Sequence, residues 1–302
     1  MNRAFVVCAA FCLIATPTLA QKGPSAAPST EPDPVLGITL DEYSETGPNT
    51  LTLGGITARI EAQANSDDTI TPVYVLEDAN GEVLRFEGEP SFFPFLPASM
   101  QLVNIDPSTP EPELIASSYT GGAHCCDRIQ IAALSPGGVW QVHELGLFDG
   151  GYTVWDADEN GFGEIEVADQ SFLYTFDCYA CSAPPPRFFT VRDGEPVDVS
   201  DNPDLIPTYE SQLTQFDSPS AMSGEPGRLA GWAGIEARLG RGEEALATLE
   251  QINVASDVVY EVCADGGPVW ECADADRREV GFVPFLRDHL VQEGYLERRG
   301  KG

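Results

Sequence analysis

From about residue 35 to residue 204, apolar and polar positions fall in short alternating runs bounded by turn residues. Ala58-Arg59-Ile60-Glu61-Ala62 and Val73-Tyr74-Val75-Leu76 are examples. Successive side chains on a strand point to opposite faces, so this pattern predicts a β domain over 35–204. Three hairpins stand out: Val73–Phe86 turning at Asn80-Gly81, Ile129–Leu145 turning at Gly137-Gly138, and Phe188–Val199 turning at Asp193-Gly194. Asn-Gly, Gly-Gly and Asp-Gly tolerate the positive φ of tight hairpin turns. Gly81 and Gly138 are 57 residues apart, and Gly138 and Gly194 are 56 apart. That spacing predicts three copies of one β unit, arranged as an open array, a sandwich or part of a propeller. Three copies are too few to close a propeller of four or more blades.

Past residue 205 the period lengthens. Leu229, Trp232, Ile235 and Leu239, then Ala245, Leu246 and Leu249, predict two short antiparallel helices with Gly240 and Gly242 between them. Phe285, Leu286, His289, Leu290 and Leu296 mark a final helix, with Pro284 suited to its first turn. Residues 205–302 are therefore expected to form a small α-rich C-terminal domain.

The N-terminus carries a different pattern. Arg3, the twelve apolar residues Ala4 to Ala15 and the small residues of Thr18-Leu19-Ala20 have the three parts of a cleavable secretory signal over 1–20. Twelve residues fall short of the roughly 18 needed to span a bilayer. Residues 21–34, rich in Pro, Ser and Ala, predict a flexible linker. The mature chain is thus expected to be periplasmic or secreted, with no membrane span.

Charge narrows the partners. The chain has 48 acidic and 16 basic residues, a net charge of −32, and loss of Arg3 makes it −33. Such a field repels nucleic acid and anionic lipid and attracts cations and basic partners. An exported protein or a glycan remains as the expected partner class.

Six of the eight cysteines survive signal removal: Cys125, Cys126, Cys178, Cys181, Cys263 and Cys272. In an oxidising compartment an even number argues for disulfides. Cys125 and Cys126 follow the strand Glu113–Ala116, and Cys178 and Cys181 follow Glu164–Val167. These matching places suggest pairing between the two units, because adjacent strand cysteines face opposite ways. Cys263 and Cys272 would close a local loop, worth about 2–3 kcal/mol. The alternative is a zinc or copper site built from four thiolates and His124, or a redox pair in Cys178-Tyr179-Ala180-Cys181.

The sharpest motif is Asp156-Ala157-Asp158-Glu159-Asn160-Gly161-Phe162-Gly163-Glu164. It offers oxygen ligands at positions 1, 3, 5 and 9, a bend at Gly161 and the Phe162 carbonyl at position 7. Calcium, a hard cation taking six to eight oxygens, suits this spacing. An EF-hand would need Glu at position 12, where Val167 stands in a strand-like run. A loop followed by a strand resembles the calcium loops of the FG-GAP and VCBS repeat families, found in integrin-like β-propellers and many secreted bacterial proteins. The resemblance covers about residues 100–200. It implies Asp156, Asp158, Asn160, the Phe162 carbonyl and Glu164 as ligands of a structural calcium ion.

No nucleophile elbow, His-Glu-x-x-His helix or phosphate loop is present, so no catalytic residue is assigned. His143 and His289 read as structural or surface positions. The sequence thus points to an exported binding or structural module. A metal-handling or redox protein using His124 and the cysteines is the alternative, and an inhibitor or accessory protein of an exported enzyme is a third reading.

Overall fold

Alternation accounts for a stack of layers in the computed structural model, which describes residues 36–92, 95–121, 125–252, 258–264, 266–267 and 269–297. The signal, the linker and His124 lie outside the described residues. The chain is mainly β, with a small helical region at its C-terminal end and open sheets.

The first sheet runs β2 (Thr50–Leu53), β3 (Ile56–Ala64), β4 (Thr69–Asp78) and β5 (Gly81–Glu87) as an antiparallel meander, with β6 (Ser91–Phe92) added beside β4. The second follows the same order through β7 (Ala98–Val103), β8 (Glu113–Tyr119), β9 (Asp127–Leu134) and β10 (Trp140–Phe148). It gains β1 (Gly37–Leu40) at its edge, beside β7. The third is β11 (Thr153–Trp155), β12 (Glu164–Ala168), β13 (Pro186–Arg192) and β14 (Glu195–Asp198). All three turns expected at Asn-Gly, Gly-Gly and Asp-Gly join the third strand of a meander to the fourth.

The sheets pack face on face. Ile60, Tyr74 and Leu76 of the first sheet meet Met100, Leu102, Leu114 and Ala132 of the second. The opposite face of the second sheet presents Ile115, Ile129 and Ile131 to Ile165, Val167 and Val191 of the third. Leu114 and Ile115 are neighbours in sequence, yet they serve two different cores. That is the two-residue period in a sheet covered on both sides, and it explains why β8 is buried almost end to end. The Tyr74 hydroxyl donates to the Ser117 carbonyl at 2.6 Å and ties the first layer to the second.

Among the described residues four α-helices follow: α1 (Ile206–Leu213), α2 (Pro226–Arg238), α3 (Gly242–Gln251) and α4 (Phe282–Gln292). Tyr209 of α1 and Ile235 of α2 cover Phe188 and Val199 on the outer face of the third sheet. A separate core joins Leu229, Leu246, Leu249, Leu286 and Leu290 to Phe172 and Phe176 from the β12–β13 connection. Gly227 and Gly231 put the α2 backbone against the same connection; a Cβ on either would strike the Cys181 or the Ala183 carbonyl. The α1 helix and the hairpin β15 (Val259–Cys263) and β16 (Arg277–Gly281) were not foreseen from the helical spacing.

Candidate metal centre

Strand pairing brings the two ends of the acidic loop together. Trp155 at the end of β11 lies opposite Glu164 at the start of β12, so residues 156–163 must turn back on themselves. Glu159 and Gly161 take positive φ, 60° and 91°, to make the bend. The carboxylates collect the loop amides. Asp156 accepts from the Asn160 and Gly161 N–H groups at 2.8 and 2.9 Å, and Asn160 accepts from Phe162 N–H at 2.8 Å. Asp158 accepts from Asn160 N–H at 3.2 Å and from the Asn202 side chain at 3.1 Å. Glu164 accepts from Ala157 N–H at 2.7 Å.

Asp156, Asp158 and Glu164 each bring one carboxylate oxygen within 4.8 Å of the other two. Their described hydrogen-bond partners are neutral amides. Glu164 is 2% exposed, and burial pushes its carboxyl up to about 7, with Asp158 and Asp156 raising it further. A cavity of about 70 Å³ adjoins the loop, lined by Asp158, Asn160, Phe162, Glu164, Asn202 and the exposed Arg192 among others. The donor set is all oxygen and contains no sulfur or imidazole, which suits a hard cation.

Distant residues hold this loop, and its local spacing gave no sign of them. Thr208 of α1 donates to the Ala157 carbonyl at 2.7 Å, and Gly163 N–H donates to the Asn104 carbonyl at 2.9 Å. The corresponding loop of the second sheet, ahead of β8, is tied by hydrogen bonds. Glu113, 1% exposed, accepts from Ile105 and Asp106 N–H at 2.8 and 3.1 Å, and Asp106 accepts from Ser108 and Gly194 N–H. Burial pushes the Glu113 carboxyl up to about 7 as well.

The cysteines correct an expectation. Pairing is local: Cys125 with Cys126, Cys178 with Cys181, and Cys263 with Cys272. Cys125 and Cys126 precede β9 and so lie off the strand, where facial alternation does not apply. Cys178 and Cys181 lie in a single 3₁₀ turn, with Cα atoms 5.0 Å apart, inside the usual span for a bridge. Among the described residues no bridge staples one sheet to another. His143 pairs with Glu195 at 3.3 Å. His289 packs edge-on between Phe172 and Phe176, and burial lowers it to about 4.

Comparison with known proteins places the chain. Residues 208–294 match the sll0997 C-terminal domain. The probable thylakoid lumen protein sll0997 of Synechocystis is 30% identical over 236 residues, 76% of this chain and 69% of that protein. The chain belongs to the sll0997 family. Uncharacterized protein y4bJ of Sinorhizobium fredii is 29% identical over 275 residues, 87% of this chain, although the chain spans only 43% of its length. No solved structure matches. In family terms, the matched C-terminal domain runs from α1 through α4 and includes Cys263–Cys272, while the acidic loop lies before it. Among the described residues no helix is long and apolar enough to cross a membrane.

Proposed function

We propose that this member of the sll0997 family is an exported binding or structural module built from three copies of a four-stranded unit, with one structural calcium ion in the 156–164 loop. The observation that carries the calcium reading is the convergence of Asp156, Asp158 and Glu164, whose described hydrogen-bond donors are neutral amides. A divalent ion there would offset the mutual repulsion of three carboxylates and the desolvation of Glu164. Asn160 and the Phe162 carbonyl complete the oxygen set, as in the FG-GAP and VCBS loops that this one resembles. The ion stiffens the β11–β12 connection and takes no part in catalysis.

Export is supported by the signal-like N-terminus and by the relative assigned to the thylakoid lumen, itself an exported compartment. The partner is an exported protein or a glycan; the net charge of −32 favours a basic protein surface. Isothermal titration of the mature protein tests the site. Calcium should give saturable heat with a stoichiometry of about one. Asp156→Ala with Asp158→Ala should abolish that heat in a protein that remains folded. Equal heat from the folded double variant would end the assignment.

A further inference from the structure

We propose that Cys178–Cys181 is a dithiol–disulfide exchange site served by a protein dithiol, a role independent of the calcium loop. Of the three disulfides it is the one with both residues exposed; Cys126 is 5% exposed in its pair, and Cys263 and Cys272 are 6% and 9% exposed in theirs. Exchange requires an incoming thiolate to reach a sulfur, and only in this pair are both half-cystines open to it, whereas Cys125 alone is exposed in its pair.

The turn that carries the pair does not depend on the bond. Cys181 N–H donates to the Cys178 carbonyl at 3.0 Å, and Ser182 N–H donates to the Tyr179 carbonyl at 3.1 Å. The Ser182 hydroxyl also reaches the Cys178 carbonyl at 3.0 Å, and Cys178 N–H is held by Asp177 at 2.8 Å. Tyr179, inside the motif, donates its hydroxyl to Asp149 at 2.8 Å and packs on Tyr174 with ring centroids 5.4 Å apart. On the C-terminal side, α2 presses on the Cys181 and Ala183 carbonyls through Gly227 and Gly231. After reduction these contacts keep the two thiols within reach of each other, so the bond can reform without a search through open conformations. Only three residue steps separate the cysteines, so loop closure stabilises the fold less than in the nine-step Cys263–Cys272 bridge.

The step balances with a donor dithiol. A donor thiolate attacks one of the two sulfurs, and the other leaves as a thiolate and takes up a proton. The donor's second thiol then attacks the mixed disulfide and releases the remaining cysteine thiol. The products are the donor disulfide and reduced Cys178 and Cys181, a transfer of two electrons and two protons. Tyr174, 63% exposed with a left-handed φ of 60°, and the half-buried Tyr179 flank the bond and offer the donor an apolar landing surface.

The test uses the folded, oxidised mature protein in glutathione buffers of graded potential. Thiols are trapped by alkylation and assigned by peptide mass, while circular dichroism follows the fold. Cys178 and Cys181 should pass to the dithiol in one reversible two-electron step with the fold retained and Cys263–Cys272 still closed. Reduced thioredoxin, used as the protein dithiol, should open the bond at least about tenfold faster than the same concentration of dithiothreitol. The Cys263→Ser/Cys272→Ser variant, if folded, should keep the step. The proposal is overturned if Cys178–Cys181 opens only as the fold is lost, opens together with Cys263–Cys272, or shows no preference for thioredoxin.

Discussion

At the scale of single residues, the two buried glutamates at the heads of β8 and β12 set the pH response. Burial is the largest cause at both, and each carboxyl is raised from the usual carboxylate range to about 7. Folding therefore favours their protonated forms. That contribution is complete below about pH 4.5 and is lost as pH rises through about 7. Calcium-free protein should lose on the order of 2 kcal/mol of stability per glutamate between pH 5 and pH 8, measured by urea denaturation in chelator. Glu164→Gln should flatten part of that decline, since its neutral amide has no proton to lose. The proposed calcium ion would bind the ionised carboxylate, so the rise it gives in melting temperature should be larger at pH 8 than at pH 5. An equal rise at both pH values would separate Glu164 from the ion. The acidic loop was legible in sequence because its carboxylates lie close together in the chain. Asn202, Thr208 and Asn104, which hold it in place, were not, because they come from distant parts of the chain.

Among elements, α2 and the connection from β12 to β13 form the tightest joint. An alanine at position 231 would gain about 1 kcal/mol of helix propensity over glycine. Its Cβ would also collide with the Ala183 carbonyl, a backbone group that cannot swing aside. Overpacking of that kind costs about 1–3 kcal/mol. Gly231→Ala should therefore destabilise the protein by up to about 2 kcal/mol in denaturant titration, against the propensity trend. The strands and their turns could be read from alternation and from Asn-Gly, Gly-Gly and Asp-Gly, since both signals are local. The fifth strand β1 and the β15–β16 hairpin escaped because pairing with a distant edge leaves no periodic mark. Cysteine pairing failed for a similar reason. The matching positions of Cys125–Cys126 and Cys178–Cys181 are real, since both pairs lie between the second and third strands of their meanders. Equal positions in successive sheets do not bring sulfurs together, and each pair closes on itself.

The whole molecule carries 48 acids against 16 bases, and the ion pairs among the described residues, such as Arg59 with Glu77 and Arg85 with Glu61 and Glu82, engage a minority of those acids. Self-repulsion should dominate at low salt. Raising sodium chloride from 20 mM to 500 mM shortens the screening length from about 20 Å to about 4 Å and should lift the melting temperature by about 2–5 °C. Calcium at millimolar concentration should lift it further at fixed ionic strength, which distinguishes a bound ion from general screening. The most direct measurement is a crystal structure of the mature protein grown in calcium, with anomalous scattering to identify the ion. One calcium peak should lie about 2.3–2.6 Å from oxygens of Asp156, Asp158, Asn160, Phe162 and Glu164. A well-ordered 156–164 loop with no peak between its carboxylates would contradict the calcium assignment.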